Sequence, residues 1–275
     1  MNDNTHVTIA VAQLTCRLGD KEANLAMIES LLAEASGRAQ VVCLPELCTT
    51  GYDLNELGDA HFELAETIPG PTTERLSSWA RKMNLGIVAG LIERDPRVTG
   101  LLYDTAVVIN RQGDLAGLYR KTHLYPAENR FFCAGNDLPV FDLDGLSVGV
   151  AICFEEAFPQ IFTTLTLRGA QLVFNPSAVP MGYGHLQDVR TRARAQDNQI
   201  FVAAANHVGR EGNVLYCGRS QIADPRGDVI AMAGDEAPMV VMAELSLGLI
   251  PDQRRQEPIF RGLRPELYDR REPGQ

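Results

Sequence analysis

Two hairpin signals interrupt a chain that otherwise alternates between strand-like and helix-like segments, and this combination restricts the fold most strongly. The signals are Arg111-Gln112-Gly113-Asp114 and Asp144-Gly145, each placed between two apolar, strand-like runs. Segments with helical spacing separate other strand-like runs, at 20–37, 73–84, 158–169 and 186–199. Helical crossovers join parallel strands, whereas hairpins join antiparallel strands, so the sheets must be mixed. We therefore predict an α/β fold of two mixed β-sheets with helices on their outer faces, a four-layer α/β/β/α sandwich.

The domain organisation follows from the absence of a sharp linker or a shift in composition. Its 275 residues can form one large α/β core, so we expect one domain over 1–275. Residues 45–70 and 121–139 are predicted to be irregular loops. The tail 250–275 is rich in Pro and Arg and has no periodicity, but Ile259, Phe260 and Leu263 make it too apolar to be simply disordered. We expect this tail to pack at a subunit interface of a homodimer or larger homo-oligomer.

Composition excludes several classes of partner. The net charge of −10 argues against nucleic acid or an anionic membrane surface. No apolar run approaches the ~20 residues of a membrane span, and the first residues do not resemble a signal peptide, so we expect a cytoplasmic protein. The six cysteines lack the spacing of a zinc site, so no metal is expected. A cluster of arginines that includes Arg190, Arg192 and Arg194 is interpreted as a solvated face or a subunit contact.

Three residues that can act in catalysis lie at the ends of strand-like runs. Cys153 ends the run Val148–Ile152, Glu46 follows 41–45, and Lys121 follows 118–120. Each residue alone is typical of ordinary structure, since free cysteines are often buried and charged residues after strands are often at the surface. Together they supply a nucleophile, a base and a cation for an oxyanion, which are what thiol-dependent amide hydrolysis requires. Strand ends on one rim are also where α/β enzymes place their catalytic groups.

The sequences around these three residues resemble the nitrilase superfamily of carbon–nitrogen hydrolases. The similar segments are Leu44-Pro45-Glu46-Leu47, Tyr119-Arg120-Lys121-Thr122-His123-Leu124 and Ile152-Cys153-Phe154-Glu155-Glu156-Ala157-Phe158-Pro159. The motifs Asn175-Pro176-Ser177-Ala178 and Arg192-Ala193-Arg194-Ala195-Gln196-Asp197-Asn198 extend the resemblance, which covers nearly the whole chain. It implies the same four-layer sandwich, which in this family is commonly paired into dimers.

The resemblance also implies roles for individual residues. Glu46 would be the general base, Lys121 the stabiliser of the oxyanion and Cys153 the nucleophile. Glu128 would order the site, and the backbone N–H of Phe154 would be a second oxyanion donor. Lys121 and the start of the following helix are expected to favour the Cys153 thiolate. No cofactor is expected.

The substrate prediction depends on less specific residues. The segment after Cys153 lacks the tryptophan frequent in true nitrilases, and it has Glu155-Glu156 where carbamoyl-amino-acid hydrolases have arginine. We therefore expect a small aliphatic carboxamide, neutral or amine-bearing, as substrate. Tyr52, Asn129, Glu155 and Tyr183 are predicted to bind it.

Several alternatives stay open. An N-carbamoyl amine or amino acid, or a nitrile, would suit the same three groups. A non-catalytic scaffold and a thiol-based redox protein that uses Cys153 are alternatives from different classes.

Overall fold

The computed structural model describes residues 6–268, in which strands and helices alternate. The strands are β1 His6–Gln13, β2 Val41–Cys43, β3 Gly86–Arg94, β4 Leu102–Ile109, β5 Leu115–Arg120, β6 Val140–Leu143, β7 Leu146–Val150, β8 Leu172–Ser177, β9 Phe201–Asn206, β10 Val208–Glu211, β11 Val214–Cys217, β12 Gln221–Ala223, β13 Val229–Met232 and β14 Met239–Ser246. The α-helices are α1 Lys21–Ala35, α2 Leu54–Leu57, α3 Ala60–Leu64, α4 Pro71–Met83, α5 Pro159–Leu167, α6 Gly184–Asn198 and α7 Leu249–Gln256.

Twelve of these strands form two six-stranded sheets with the same pattern of pairing. The first sheet has the order β14-β1-β2-β3-β4-β5 and the second the order β13-β12-β9-β8-β7-β6. In each sheet two parallel pairs, β1-β2-β3 or β7-β8-β9, are flanked by antiparallel strands. Mixed sheets are thus present as predicted. Strands β10 and β11 form a separate two-stranded hairpin.

Three apolar layers hold the sheets and helices together. One joins α1 and α4 to the outer face of the first sheet, through residues such as Ile28, Leu32 and Leu76. A second fills the space between the sheets and includes Val11 and Phe174. The third packs α5 and α6 against the second sheet. The predicted four-layer α/β/β/α sandwich is therefore confirmed.

Most local predictions follow from clear periodic patterns. Asp20 caps α1 by accepting a hydrogen bond from the N–H of Ala23 at 3.0 Å. Both predicted hairpins form, as the pairs β4-β5 and β6-β7. The segment after Cys153 differs in one respect, because a 3₁₀ turn, Cys153–Ala157, comes before α5.

The structure differs from the sequence-based prediction in three segments. The loop 45–70 contains the short helices α2 and α3, and the β10-β11 hairpin was not predicted. The tail is helical over α7, where Ile250 is buried against the layer between the sheets. The tail therefore docks on its own chain at this point. Its last residues, 269–275, lie outside the described part.

Across residues 6–268, none of the helices combines the length and the apolar character needed to cross a bilayer.

Candidate active site

Three strand ends bring Glu46, Lys121 and Cys153 together between the two sheets. Glu46 lies three residues after β2, and Lys121 directly follows β5 of the same sheet. Cys153 lies three residues beyond the end of β7 in the second sheet. The Glu46 and Lys121 side chains are completely buried, and Cys153 is partly accessible from a cavity. The structure therefore places the predicted base, cation and nucleophile in one group, assembled from both sheets.

The backbone of Glu46 is held from two sides. Gly90 of β3 lies so close that a Cβ atom there would be 2.6 Å from the Cα of Glu46, so only glycine fits. On the other side, the buried His207 donates from Nε2 to the carbonyl oxygen of Glu46 at 2.6 Å. The Nδ1 atom of His207 is 2.6 Å from Oε1 of Glu211. These contacts fix the position of the predicted base, and sequence reasoning did not single out His207 or Glu211.

Three carboxyl groups surround the ammonium of Lys121. Its Nζ atom donates to Oε1 of Glu46 and Oε1 of Glu128, each at 2.6 Å, and lies 3.5 Å from Oδ2 of Asp104. Tyr52 donates its hydroxyl to the same oxygen of Glu128. The predicted position of Glu128 beside Lys121 therefore agrees with the geometry. Asp104 was missed, although a carboxylate inside the apolar strand β4 is a signal that could have found it.

Burial and the neighbouring charges together shift the pKa values of Asp104 and Lys121. Burial and the negative charge of Glu46 raise the pKa of Asp104 well above its ordinary value. For Lys121, burial alone would lower the pKa, but the charges of Glu46 and Glu128 outweigh it and the pKa is raised. Lys121 is therefore a fixed cation. One oxygen of Glu46, Oε2, has no hydrogen-bond partner among the described residues.

Cys153 occupies a strained turn. Its φ of +47° lies in the left-handed region, which costs a non-glycine residue about 1–2 kcal/mol. Asn175 supports the turn by donating from Nδ2 to the carbonyl oxygen of Ala151 at 2.6 Å, and the backbone N–H of Ala178 hydrogen-bonds the sulfur. The N–H of Phe154, the predicted oxyanion donor, belongs to the first residues of a helical turn, whose N–H groups lack intrahelical acceptors.

Lys121 favours the thiolate of Cys153, as predicted, but larger opposing effects outweigh it in the resting site. Burial and the charge of Glu46 raise the pKa of Cys153 well above its ordinary value, and the opposing effects of Lys121 and the Ala178 N–H are smaller. The physical reason is that Lys121 is already neutralised by the carboxylates around it. Cys153 is therefore a neutral thiol at rest, and attack requires transfer of its proton to a base.

Glu155 does not contact the cavity, which corrects its predicted role in substrate binding. Its carboxylate accepts hydrogen bonds from the N–H groups of Ile152, Thr122 and His123 at 2.6–3.0 Å and from the hydroxyl of Tyr119 at 2.7 Å. Burial by itself would raise the pKa of Glu155, but these hydrogen bonds outweigh it and the pKa is lowered. Glu155 instead joins the turn of Cys153 to the segment after Lys121.

A mainly apolar cavity of about 170 Å³ opens onto Cys153, with room for roughly ten water molecules. Tyr52, Phe154 and Tyr183 line it, as predicted for Tyr52 and Tyr183. Asn129 does not line it, because its side chain is exposed and donates to the carbonyl oxygen of Pro126. Two charged residues not predicted individually also line the cavity.

These two residues are Glu156 and Arg190. Burial raises the pKa of Glu156 to about 7, against smaller opposing effects of Thr191 and the nearby arginines. Arg190, interpreted from the sequence as part of a solvated face or a subunit contact, is partly buried and lines this cavity.

Two clusters among the described residues have the composition of metal ligands. Glu46, Asp104 and Glu128 form one, but the ammonium of Lys121 occupies its centre. Cys16, His207 and Glu211 form the other, in which both ring nitrogens of His207 are already engaged with Glu211 and the Glu46 carbonyl. Neither cluster thus offers a cation a complete set of free ligand atoms.

Two stacked mixed sheets with a glutamate, a lysine and a cysteine at their rim define a hydrolase of the nitrilase type. In agreement, a sequence profile of the carbon–nitrogen hydrolase family matches residues 8–255. The chain belongs to the carbon–nitrogen hydrolase family of the nitrilase superfamily and is an enzyme of that family.

Similar proteins agree with this assignment. A protein named nitrilase from Pyrococcus abyssi is 38% identical over 272 residues, covering 96% of this chain and 100% of the relative. The 2-oxoglutaramate amidase of Bacillus subtilis is 33% identical over 264 residues, covering 95% and 99%. Among solved structures, a glutamate-to-glutamine mutant of the amidase from Nesterenkonia sp. AN1 superposes with a TM-score of 0.80 at 28% identity, covering 95% of this chain and 98% of the amidase. That structure shows the acetamide moiety of fluoroacetamide added covalently at the active-site cysteine.

Proposed function

We propose that this enzyme hydrolyses a small aliphatic carboxamide to the carboxylic acid and ammonia through a thioester on Cys153. The observation that carries the proposal is the position of Cys153, at a cavity and beside a buried glutamate–lysine pair. The covalent adduct at the cysteine of the Nesterenkonia amidase, and the amidase names of several relatives, support it.

The first half of the reaction forms the thioester. Glu46 takes the thiol proton of Cys153 as sulfur attacks the amide carbon, and the C=O electron pair moves onto oxygen. Lys121 and the N–H of Phe154 stabilise this oxyanion, in a buried site where such donors act strongly. As the C–N bond breaks, Glu46 returns its proton to nitrogen and ammonia leaves.

The second half releases the acid. Glu46 removes a proton from water, hydroxide adds to the thioester carbon, and the C–S bond breaks as the proton passes to sulfur. Glu128 keeps Lys121 aimed at the oxyanion by accepting from its ammonium. Each proton taken by Glu46 is returned within the same half-reaction, so the cycle ends with the starting enzyme.

The test is ammonia release from a panel of aliphatic amides, N-carbamoyl compounds and nitriles, run with wild type and Cys153→Ala. We expect turnover of amides by the wild type, and a loss of at least about 10³-fold in the variant. Intact mass spectrometry should detect an acylated wild-type chain whose mass exceeds that of the free enzyme by the acyl group. Turnover of nitriles alone would favour the activity named for the Pyrococcus relative. A folded protein without turnover or acylation would favour a scaffold.

We also propose a homodimer in which the second-sheet helices α5 and α6 pair, because Leu167 and Val189 are 60% and 64% exposed there. Light scattering of Val189→Glu tests the dimer, since a charge in that contact should release monomers.

We also propose a reducing compartment such as the cytoplasm, which the six free thiols support.

A further inference from the structure

Asp104 occupies a position of β4 that strand alternation assigns to an apolar side chain. Ala106 and Val108, two and four residues further along, pack in the apolar layer between the sheets, and residues at this spacing share one face of a strand. Asp104 is completely buried, and neither of its carboxyl oxygens has a hydrogen-bond partner among the described residues. The reaction steps proposed above do not use this carboxyl group. A buried carboxyl group without donors is costly to keep charged.

The groups that face Asp104 already have an excess of negative charge. They are Glu46 from the end of β2, Lys121 from the end of β5 and Glu128 from the loop after it, while the residue opposite on β3 is the apolar Ile92. Nζ of Lys121 donates to Glu46 and Glu128 at 2.6 Å but lies 3.5 Å from Oδ2 of Asp104. An ionised Asp104 would therefore be a third buried carboxylate around one cation. Burial of such unbalanced charge is avoided when one carboxyl group takes up a proton.

A proton on Asp104 has an acceptor within the cluster. Carboxyl oxygens of Asp104 and Glu46 lie within 4.8 Å of each other, and Oε2 of Glu46 has no donor among the described residues. Burial is the largest cause of the raised pKa of Asp104, and a hydrogen bond with Glu46 is among the other causes. A hydrogen bond donated to a carboxylate stabilises its charged form. The charged form of Glu46 is the one that can take a proton from Cys153.

We propose that Asp104 is a positioning residue that stays protonated in the working enzyme and donates a hydrogen bond to Glu46, which keeps Glu46 ionised as the general base. The inference rests on the proposed function and goes beyond it, because it assigns the charge of the base to a residue outside the predicted triad. A neutral Asp104 also does not compete with the oxyanion for the ammonium of Lys121.

Two variants of Asp104 separate a neutral donor from a carboxylate. Asp104→Asn keeps the shape and an N–H donor but cannot ionise, whereas Asp104→Val has a similar volume, no donor and a side chain that suits a strand. In the ammonia assay, Asp104→Asn should keep kcat/KM within about threefold of wild type, and Asp104→Val should lose at least about tenfold, mainly in kcat. The acid limb of the kcat/KM profile should stay within about half a pH unit in Asp104→Asn and rise by about one unit or more in Asp104→Val.

Infrared spectroscopy locates the proton without any turnover. A protonated carboxyl group has a C=O stretching band that a carboxylate lacks. The difference spectrum of wild type minus Asp104→Asn at neutral pH should contain this band. Asp142→Asn is the matched control, because Asp142 is exposed on β6, and its difference spectrum should lack the band.

Three results would overturn the inference. The first is a difference spectrum of wild type minus Asp104→Asn without the band. The second is a loss of activity in Asp104→Asn as large as that in Asp104→Val. The third is an acid limb that falls by about one unit or more in Asp104→Asn, because Asp104 would then be ionised beside Glu46. If Asp104→Val does not fold, the band and the acid limb of Asp104→Asn still decide.

Failure of the proposed function gives a different result. If no amide is turned over, the rate at which iodoacetamide alkylates Cys153, followed by intact mass, replaces the ammonia assay. Wild type and Asp104→Asn should then react at similar rates and Asp104→Val more slowly, together with the same infrared band. Equal rates in all three proteins would overturn the inference.

Discussion

The adjacent residues Glu155 and Glu156 should respond to pH in opposite ways, and Glu156 gives the sharper test. Its ordinary pKa of 4.5 is raised to about 7 in the folded chain because burial disfavours the charged form. The folded state therefore holds the proton more tightly than the unfolded state. Such a group leaves stability intact below pH 4.5 and reduces it progressively as the pH rises through about 7.

The magnitude follows from these two values. At about 1.4 kcal/mol for each unit of pKa, the gap between 4.5 and about 7 corresponds to about 3 kcal/mol at pH 8 and above. Glu156→Gln removes the titration and keeps an oxygen to accept from Thr191. We expect the variant to match wild type in free energy of unfolding near pH 4.5 and to exceed it by up to about 3 kcal/mol at pH 8.

Urea denaturation followed by circular dichroism at pH 5, 6, 7 and 8 measures this difference. Glu155→Gln is the matched control with the opposite sign. The lowered pKa of Glu155 means that its carboxylate stabilises the fold above pH 4.5, and that this contribution is lost in acid. The control should therefore be less stable than wild type by a margin that stays nearly constant from pH 8 to pH 5 and shrinks only below pH 4.5. A Glu156→Gln difference that is the same at pH 5 and pH 8 would refute the reasoning.

Three further predictions concern the support of the site and the tail. Gly90→Ala should displace the backbone of Glu46 and lower kcat/KM by roughly 10²-fold in the ammonia assay. Gly248→Ala is the control and should keep the wild-type rate, because a Cβ atom there meets open space. Equal rates for both variants would contradict the role of Gly90. His207→Phe should leave the buried Glu211 carboxylate without its ion-pair partner. Urea denaturation should then show a free energy of unfolding that is lower by about 3–5 kcal/mol, and a loss below about 1 kcal/mol would count against the pair. Deletion of 258–275, which keeps the buried Ile250, should halve the particle mass in light scattering if the tail completes a subunit contact, and an unchanged mass would reject that contact.

The sequence predicted the fold well where patterns are periodic or where turns have specific residues. Helix α1 has a capping residue and a regular apolar face, and the Asp144-Gly145 turn specifies its hairpin. The β10-β11 hairpin was missed because its strands are only four residues long and β10 contains the charged residues Arg210 and Glu211. Helix α7 was missed because Ile250 is its one buried residue, so no apolar periodicity marks it.

The site was predictable to the extent that catalytic groups follow strands. Glu46, Lys121 and Cys153 each come shortly after a strand, whereas Asp104 lies within one. The sequence could not decide which of Glu155 and Glu156 faces the cavity, because the left-handed turn at Cys153 sets the direction of the residues after it. Nor could it distinguish Arg190 from Arg192, because neighbouring positions on a helix differ in direction by about 100° per residue and only the packing of α6 selects one.

The reacting groups belong to different sheets, which has a mechanical consequence. Cys153 follows a strand of the second sheet, while Glu46 and Lys121 follow strands of the first. A slide of one sheet over the other would change the distance from sulfur to ammonium directly. Glu155, which bonds both rims, acts as a brace against that shear. Repacking the apolar layer between the sheets, even far from the cavity, should therefore alter turnover as well as stability.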